Sequence, residues 1–360
     1  MSDEQEVTAP FEAEEIQAGW ARKSNARPRC YAFVAFGAKT DLGRVRENNE
    51  DKFDYLEPDE PSVLATKGRV YAVADGMGGH SAGQVASELA LNVFTRTYYG
   101  DSKSDAEPGI QRAVKEANAY VVDVARTIPG RNGMGATLTA AVIRDDDLFI
   151  AQVGDSRCYL LRDGQLEQLT EDHSWVAEQV RSGAMSEAEA EQSPFRNVIT
   201  RSMGGAPEVE ADITAVKIQV GDRYLLCSDG LSGMVPAPEI AEVLASGSPS
   251  VAAWNLIDRA NQYGGRDNVT AFVLHVVDIQ PWPESDEASE AGGASDSGSA
   301  SGGGSGESDP SASNGPNPPL NGHAEAALNA DGANGTNGTP PPSAEPAAKG
   351  GFVSRLFRRA

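Results

Sequence analysis

Cysteine and histidine are scarce, at three and four residues in a chain of 360. Cys30, Cys158 and Cys227 are odd in number and keep no metal-ligand spacing, which argues against a disulfide framework or a thiolate zinc site. Cys158 and Cys227 lie inside apolar runs and read as small core residues of a protein kept in a reducing cytoplasm. No stretch reaches the roughly 18 apolar residues that a membrane span needs. The N-terminus lacks the basic and apolar regions of a secretory signal. Basic charge is also in deficit: 30 Lys and Arg stand against 53 Asp and Glu, a formal net charge of −23. Such a surface excludes nonspecific nucleic-acid binding, which requires a basic face. These absences predict a soluble, cytoplasmic protein; a monomer is expected.

Composition divides the chain into a core with tails. Residues 30–279 alternate apolar runs with turn signals and can bury a large core. Residues 1–29 form an acidic N-terminal tail. From 280 to 350 the sequence is Gly, Ser, Asn, Pro and Ala with few apolar residues, too little to offset the entropy of ordering, so a disordered linker is expected. Residues 351–360 break that composition: Phe352, Leu356 and Phe357 interleave with Arg355, Arg358 and Arg359. This short motif suits docking to a partner groove or an anionic membrane surface.

Within the core, Thr137–Ile143, a turn at 144–147 and Leu148–Val153 read as a β-hairpin, continued by Cys158–Leu161 and the turn Arg162-Asp163-Gly164. Helical periodicity marks 83–98 and 108–126, then 237–246 and 250–262. Strand meanders between helix pairs predict an α+β fold, a layered α/β/β/α sandwich of two antiparallel β-sheets flanked by helix pairs. The region 172–192, with a capped helix start at Ser186-Glu187-Ala188-Glu189, reads as a flap leaving that core.

What the chain does have is aspartate at strand ends, beside glycine or asparagine. Asn49-Glu50-Asp51, Asp75-Gly76-Met77-Gly78-Gly79-His80, Asp229-Gly230 and Asp267-Asn268 follow this plan, as does Gly154-Asp155-Ser156-Arg157. Carboxylates on the ends of buried strands can converge on one point, and oxygen ligands without clustered His or Cys suit Mg²⁺ or Mn²⁺. The glycines after Asp75 allow backbone to approach a metal or phosphate closely, with a helix N-terminus following. Arg46 precedes Glu50 and Asp51 and suits bidentate recognition of phosphate oxygens. Taken singly, each run is as readily a turn or a solvated loop; their joint occurrence gives them weight.

Together with Thr40-Asp41-Leu42-Gly43, Met134-Gly135-Ala136-Thr137, Leu169-Thr170-Glu171-Asp172-His173-Ser174 and Asn197-Val198-Ile199-Thr200-Arg201, these motifs resemble, in their order, the metal-dependent protein phosphatase family, type 2C, in its bacterial form. The resemblance spans the core from Thr40 to Thr270 and leaves out the tails. It implies two antiparallel sheets with a cleft for two Mn²⁺ or Mg²⁺ ions at one end. By position, Asp75 bridges the two ions, Gly76 adds its carbonyl, Asp229 and Asp267 complete the inner shell, and Glu50 acts through water beside Asp51. Asp155 marks a third metal and Arg46 binds substrate phosphate. A water bridging the ions would attack phosphorus directly, without a phosphoenzyme. Eukaryotic relatives carry a histidine where this chain has Met77, so the proton donor is open between His80 and metal-bound water, with water preferred. The resemblance implies a serine/threonine phosphatase acting on phosphorylated proteins, including a Ser/Thr kinase and its substrates. A phosphatase dedicated to one anti-sigma-antagonist-type regulator is an alternative, and an inactive phosphoprotein-binding module is another.

Overall fold

A computed structural model describes residues 26–79, 81–101 and 104–283. All the elements lie in the first of two units, Met1–Ala291; the second, Gly292–Ala360, is outside the described residues, as is the terminal motif 351–360. In chain order the elements are β1 Cys30–Asp41, β2 Lys52–Leu56, α1 Pro61–Thr66, β3 Arg69–Ala74, β4 Gly76–Met77, α2 Ser81–Gly100, α3 Ala106–Thr127, β5 Gly135–Ala136, β6 Leu138–Arg144 and β7 Asp147–Val153. There follow β8 Arg157–Arg162, β9 Gln165–Gln168, α4 Trp175–Arg181, α5 Glu187–Gln192, β10 Asp212–Lys217, β11 Arg223–Cys227, α6 Asp229–Ser232, α7 Ala237–Leu244, α8 Pro249–Gln262 and β12 Val269–Pro281.

Two five-stranded sheets carry the fold, in the orders β1-β12-β11-β8-β9 and β10-β7-β6-β3-β2, and all the pairings in them are antiparallel. Side chains alternate across a strand, and here both faces are covered. In β3, Val70, Ala72 and Ala74 face the helix layer of α2 and α3, while Tyr71 and Val73 face the other sheet. In β12, Val269, Ala271 and Val273 meet α7 and α8, while Phe272, Leu274 and Val276 meet the first sheet's neighbour. This two-sided burial explains why the strands read as continuous apolar runs rather than as alternating ones. Phe36, Phe53, Tyr71 and Phe272 pack edge-on or tilted between the sheets. The four layers are helices, sheet, sheet, helices, as the sequence predicts.

Helix α2 turns Ala86 and Ala90, with Phe94 and Tyr98, into the core. Ala86, Ala90 and Phe94 are fully buried, whereas Val85, Leu89 and Val93 are only partly so. Small side chains there let the helix approach β3 closely. Ser186 forms a full capping box with Glu189 at the start of α5, so the excursion 172–192 does contain the helix its sequence signals. Arg29 is tied to the β6–β7 turn: its guanidinium reaches Asp145 Oδ2 at 3.0 Å and Asp146 Oδ1 at 2.7 Å.

Candidate active site

The antiparallel pairings bring the chemistry-bearing loops to one end of the sandwich. Asp75 follows β3, and the start of β2, next to Asp51, pairs with the end of β3 through Lys52 and Ala74. Asp155 follows β7, whose Val153 pairs with Leu138. Asp229 follows β11 and Asp267 precedes β12, strands that pair through Cys227 and Ala271.

Asp51 is the most deeply set of the carboxylates. Its Oδ2 accepts from Ser228 Oγ and Thr270 Oγ1, both at 2.7 Å, while Oδ1 is buried with no partner. Asp155 and Asp229 likewise each bury an unpartnered Oδ1. An ionised oxygen without a partner in such a place costs several kcal/mol. Burial pushes Asp51 up to about 6 despite the two hydroxyls, with repulsion from Asp229 and Asp267 acting the same way. Asp155 is pushed up to about 7 by burial, then by Asp229 and Asp172. Asp75 is raised well above the carboxylate range, by burial first and then by Asp51, Asp229, Asp155 and Asp267. Burial and Asp267 raise Asp229, against a hydrogen bond with the Asp75 carboxyl. One carboxylate therefore feels four others.

The scaffold around them is polar and mostly paired. Thr137 Oγ1 accepts the Asp75 amide at 2.8 Å and lies 2.7 Å from Ser156 Oγ. The Asn268 side chain accepts the Glu50 amide at 2.8 Å and donates to the carbonyls of Leu42 and Asn48. Glu50 is buried, and a methyl group on Gly83, in the first turn of α2, would fall 1.9 Å from its Oε2. A carboxylate there faces the positive end of the helix. Gly230 has no room for a side chain either, since a Cβ would lie 1.9 Å from the Asn268 carbonyl oxygen. Arg46, half-exposed, donates to Asp267 Oδ2 at 2.6 Å; burial opposes its charge, but that bond and the nearby Glu50 and Asp75 raise its pKa on balance. Met77 packs its side chain over Gly135 across the β4–β5 pair. His80 lies outside the described residues.

Thus Arg46, Glu50, Asp51, Asp75, Gly76, Asp155, Asp229 and Asp267 share one end of the sheets. Among the described residues no three His, Cys, Asp or Glu side chains form a finished ligand set. The orphaned oxygens of Asp51, Asp155 and Asp229, with hard-oxygen donors throughout, fit divalent Mn²⁺ or Mg²⁺. Sequence reasoning passed over Ser228 and Thr270, which hold Asp51. Their signal was present: each is a hydroxyl residue within three positions of a strand-end aspartate.

A carboxylate-lined, hard-oxygen centre beside an arginine at the end of an α/β/β/α sandwich defines a metal-dependent phosphatase. Comparison with known proteins narrows the class. Residues 44–262 match the model of the family described as Protein phosphatase 2C, and the chain belongs to that family. It is 40% identical over 241 residues to the serine/threonine phosphatase stp of Listeria innocua, covering 66% of this chain and 93% of that protein. The solved catalytic domain of the serine/threonine protein phosphatase PstP, in complex with two manganese ions, is 38% identical with a TM-score of 0.58, covering 68% of this chain and 99% of that one. The Streptococcus agalactiae serine/threonine phosphatase structure gives a TM-score of 0.63 at 33% identity, covering 68% and 100%. The chain is a metal-dependent serine/threonine phosphatase. No helix among the described residues is long and apolar enough to cross a membrane.

Proposed function

We propose that this phosphatase hydrolyses phosphoserine and phosphothreonine in proteins and opposes a Ser/Thr protein kinase in the cytoplasm, as a monomer. Asp75, Asp229 and Asp267, with the Gly76 carbonyl, would hold a pair of Mn²⁺ or Mg²⁺ ions; Glu50 and Asp51 would act beside them and Asp155 at a third. The observation that carries this reading is the group of buried, unpartnered oxygens on Asp51, Asp155 and Asp229 around an Asp75 that four carboxylates repel. Bound there, the ions would lower the pKa of a water and offset charge on the phosphoryl oxygens.

The chain's own groups do the rest. Ser228 and Thr270 fix one oxygen of Asp51 and leave the other buried and unpartnered. Thr137 fixes the backbone at Asp75. Arg46 is half-exposed and can leave Asp267 to grip the equatorial oxygens of a phosphoryl group. Met77 offers no proton to the departing oxygen. Cytoplasmic residence accords with three unbridged cysteines. The test is hydrolysis of a phosphothreonine peptide with and without Mn²⁺, with Asp75→Asn as control. Metal-dependent turnover lost in the variant supports the reading; turnover in EDTA that survives the substitution overturns it.

A further inference from the structure

His173 lies outside the ligand set, yet it is buried and bonded on every side. Its Nδ1 accepts the Gly154 amide at 3.0 Å, and its Nε2 lies 2.9 Å from Asp212 Oδ2. An amide can only donate, so Nδ1 carries no proton, and the ring proton sits on Nε2 and points at Asp212. Asp212 is held in turn by Arg201. The His173 backbone is engaged as well. Its amide donates to the Gly154 carbonyl at 2.9 Å, and its carbonyl accepts the Thr200 amide at 2.8 Å.

These bonds join two regions. His173-Ser174 and Ile199-Thr200 are the two ends of the helical excursion that holds α4 and α5; Ser174 pairs with Ile199, and the Trp175 amide donates to the Val198 carbonyl. On the other side, Gly154 precedes Asp155. Gly154 has a φ of 107°, and a Cβ there would lie 2.5 Å from Thr137 Cγ2. Ser156 then reaches Thr137, which holds the Asp75 amide. A continuous chain of bonds thus runs from the hinge of the excursion, through the His173 ring, to Asp155 and Asp75.

We infer that His173 is a positioning residue: its ring sets the Asp155 loop against the hinge of the 174–198 excursion and so determines metal affinity at Asp155. This rests on the proposed reading of Asp155 as a metal ligand. Residues that orient metal ligands from behind typically change metal affinity about 10- to 100-fold when replaced.

Two substitutions separate the ring's two bonds. His173→Asn puts an acceptor near the Nδ1 position and gives up Asp212; His173→Gln reaches toward Asp212 and gives up the Gly154 amide. Amide hydrogen exchange of the metal-free protein reads the strut directly, and Mn²⁺ titration by calorimetry reads its consequence. The expected result for His173→Gln is faster exchange at Gly154, by about 10-fold or more, and at least about 10-fold weaker binding of the last Mn²⁺. His173→Asn should keep Gly154 protected and hold that Mn²⁺ within about 3-fold of wild type. Should His173→Gln fail to fold, His173→Ala also takes the acceptor away from the Gly154 amide and should loosen it in the same way. Equal behaviour of the Asn and Gln variants would show a merely structural side chain and overturn the inference, as would wild-type Mn²⁺ binding in His173→Gln. Failure of the wild type to bind Mn²⁺ would instead sink the reading of Asp155, while the exchange at Gly154 would still judge the strut.

Discussion

Removing the metal should leave a protein whose stability falls as pH rises. Unfolded, an aspartate titrates near 3.9. In the folded, metal-free protein, burial and then repulsion from Asp229 hold Asp155 at about 7, and burial, against its two hydroxyl partners, holds Asp51 at about 6. Between those values the folded state binds protons that the unfolded state has released, so unfolding free energy declines with pH. The contribution is fully present below about pH 4 and is lost once pH passes about 7. At about 1.4 kcal/mol per pKa unit, Asp51 costs the fold about 3 kcal/mol at pH 8 and Asp155 about 4 kcal/mol. Both include repulsion from Asp229, so the two do not add, and the combined fall is on the order of 5 kcal/mol. That is a large share of the roughly 5–15 kcal/mol of a typical domain. His173 and His275, lowered by burial, act in the opposite sense below the ordinary imidazole pKa of about 6.5. The difference between wild type and Asp155→Asn therefore isolates the carboxylate. Urea denaturation in EDTA at pH 5, 6, 7 and 8 measures it. Asp155→Asn should match or trail the wild type at pH 5 and exceed it by a few kcal/mol at pH 8. A wild-type-minus-variant difference that is flat or rises with pH would refute the electrostatic account of this centre.

Gly230→Ala should lower the urea midpoint and cost about 1–3 kcal/mol, because its Cβ would have to displace the Asn268 backbone. Arg46→Lys keeps the charge but loses the fork; it should raise KM for a phosphopeptide about 10-fold while changing stability by less than about 1 kcal/mol, as expected of a half-exposed pair. Steady-state kinetics and a thermal melt check both. Ser228→Ala removes one donor to Asp51 and should weaken Mn²⁺ binding measured by calorimetry; stronger binding would mean that the hydroxyl competes with the metal rather than orienting its ligand.

Much of the fold was legible because its signals are local. In the α3 stripe, Ile110, Ala113, Val114, Ala117 and Val121 are buried as their spacing predicts and Val124 is partly buried, and the turn at Asp163-Gly164 has both residues at positive φ, as a two-residue hairpin requires. The strand-end aspartates were legible for a similar reason: glycine or asparagine beside each marks a place where backbone must pass closely. Less was visible where partners are distant in sequence. Thr270 and Ser228 meet Asp51 across 219 and 177 positions, and His173 meets Asp212 across 39. Such pairings depend on strand register, which periodicity alone does not specify. The deeper seating of Ala86 and Ala90 than of Val85 and Leu89 has the same cause, since close helix–sheet packing selects small residues that a hydrophobicity pattern undervalues.

The central claim is that the strand-end carboxylates around Asp75 form the metal centre of this phosphatase. Anomalous diffraction at the manganese edge, on crystals of the full chain soaked in Mn²⁺, tests it most directly. The account predicts two strong peaks within ligand distance of Asp75, one also touching Asp229 and Asp267, and a third peak at Asp155. Manganese bound elsewhere, with the Asp75 carboxylate bare, would contradict it.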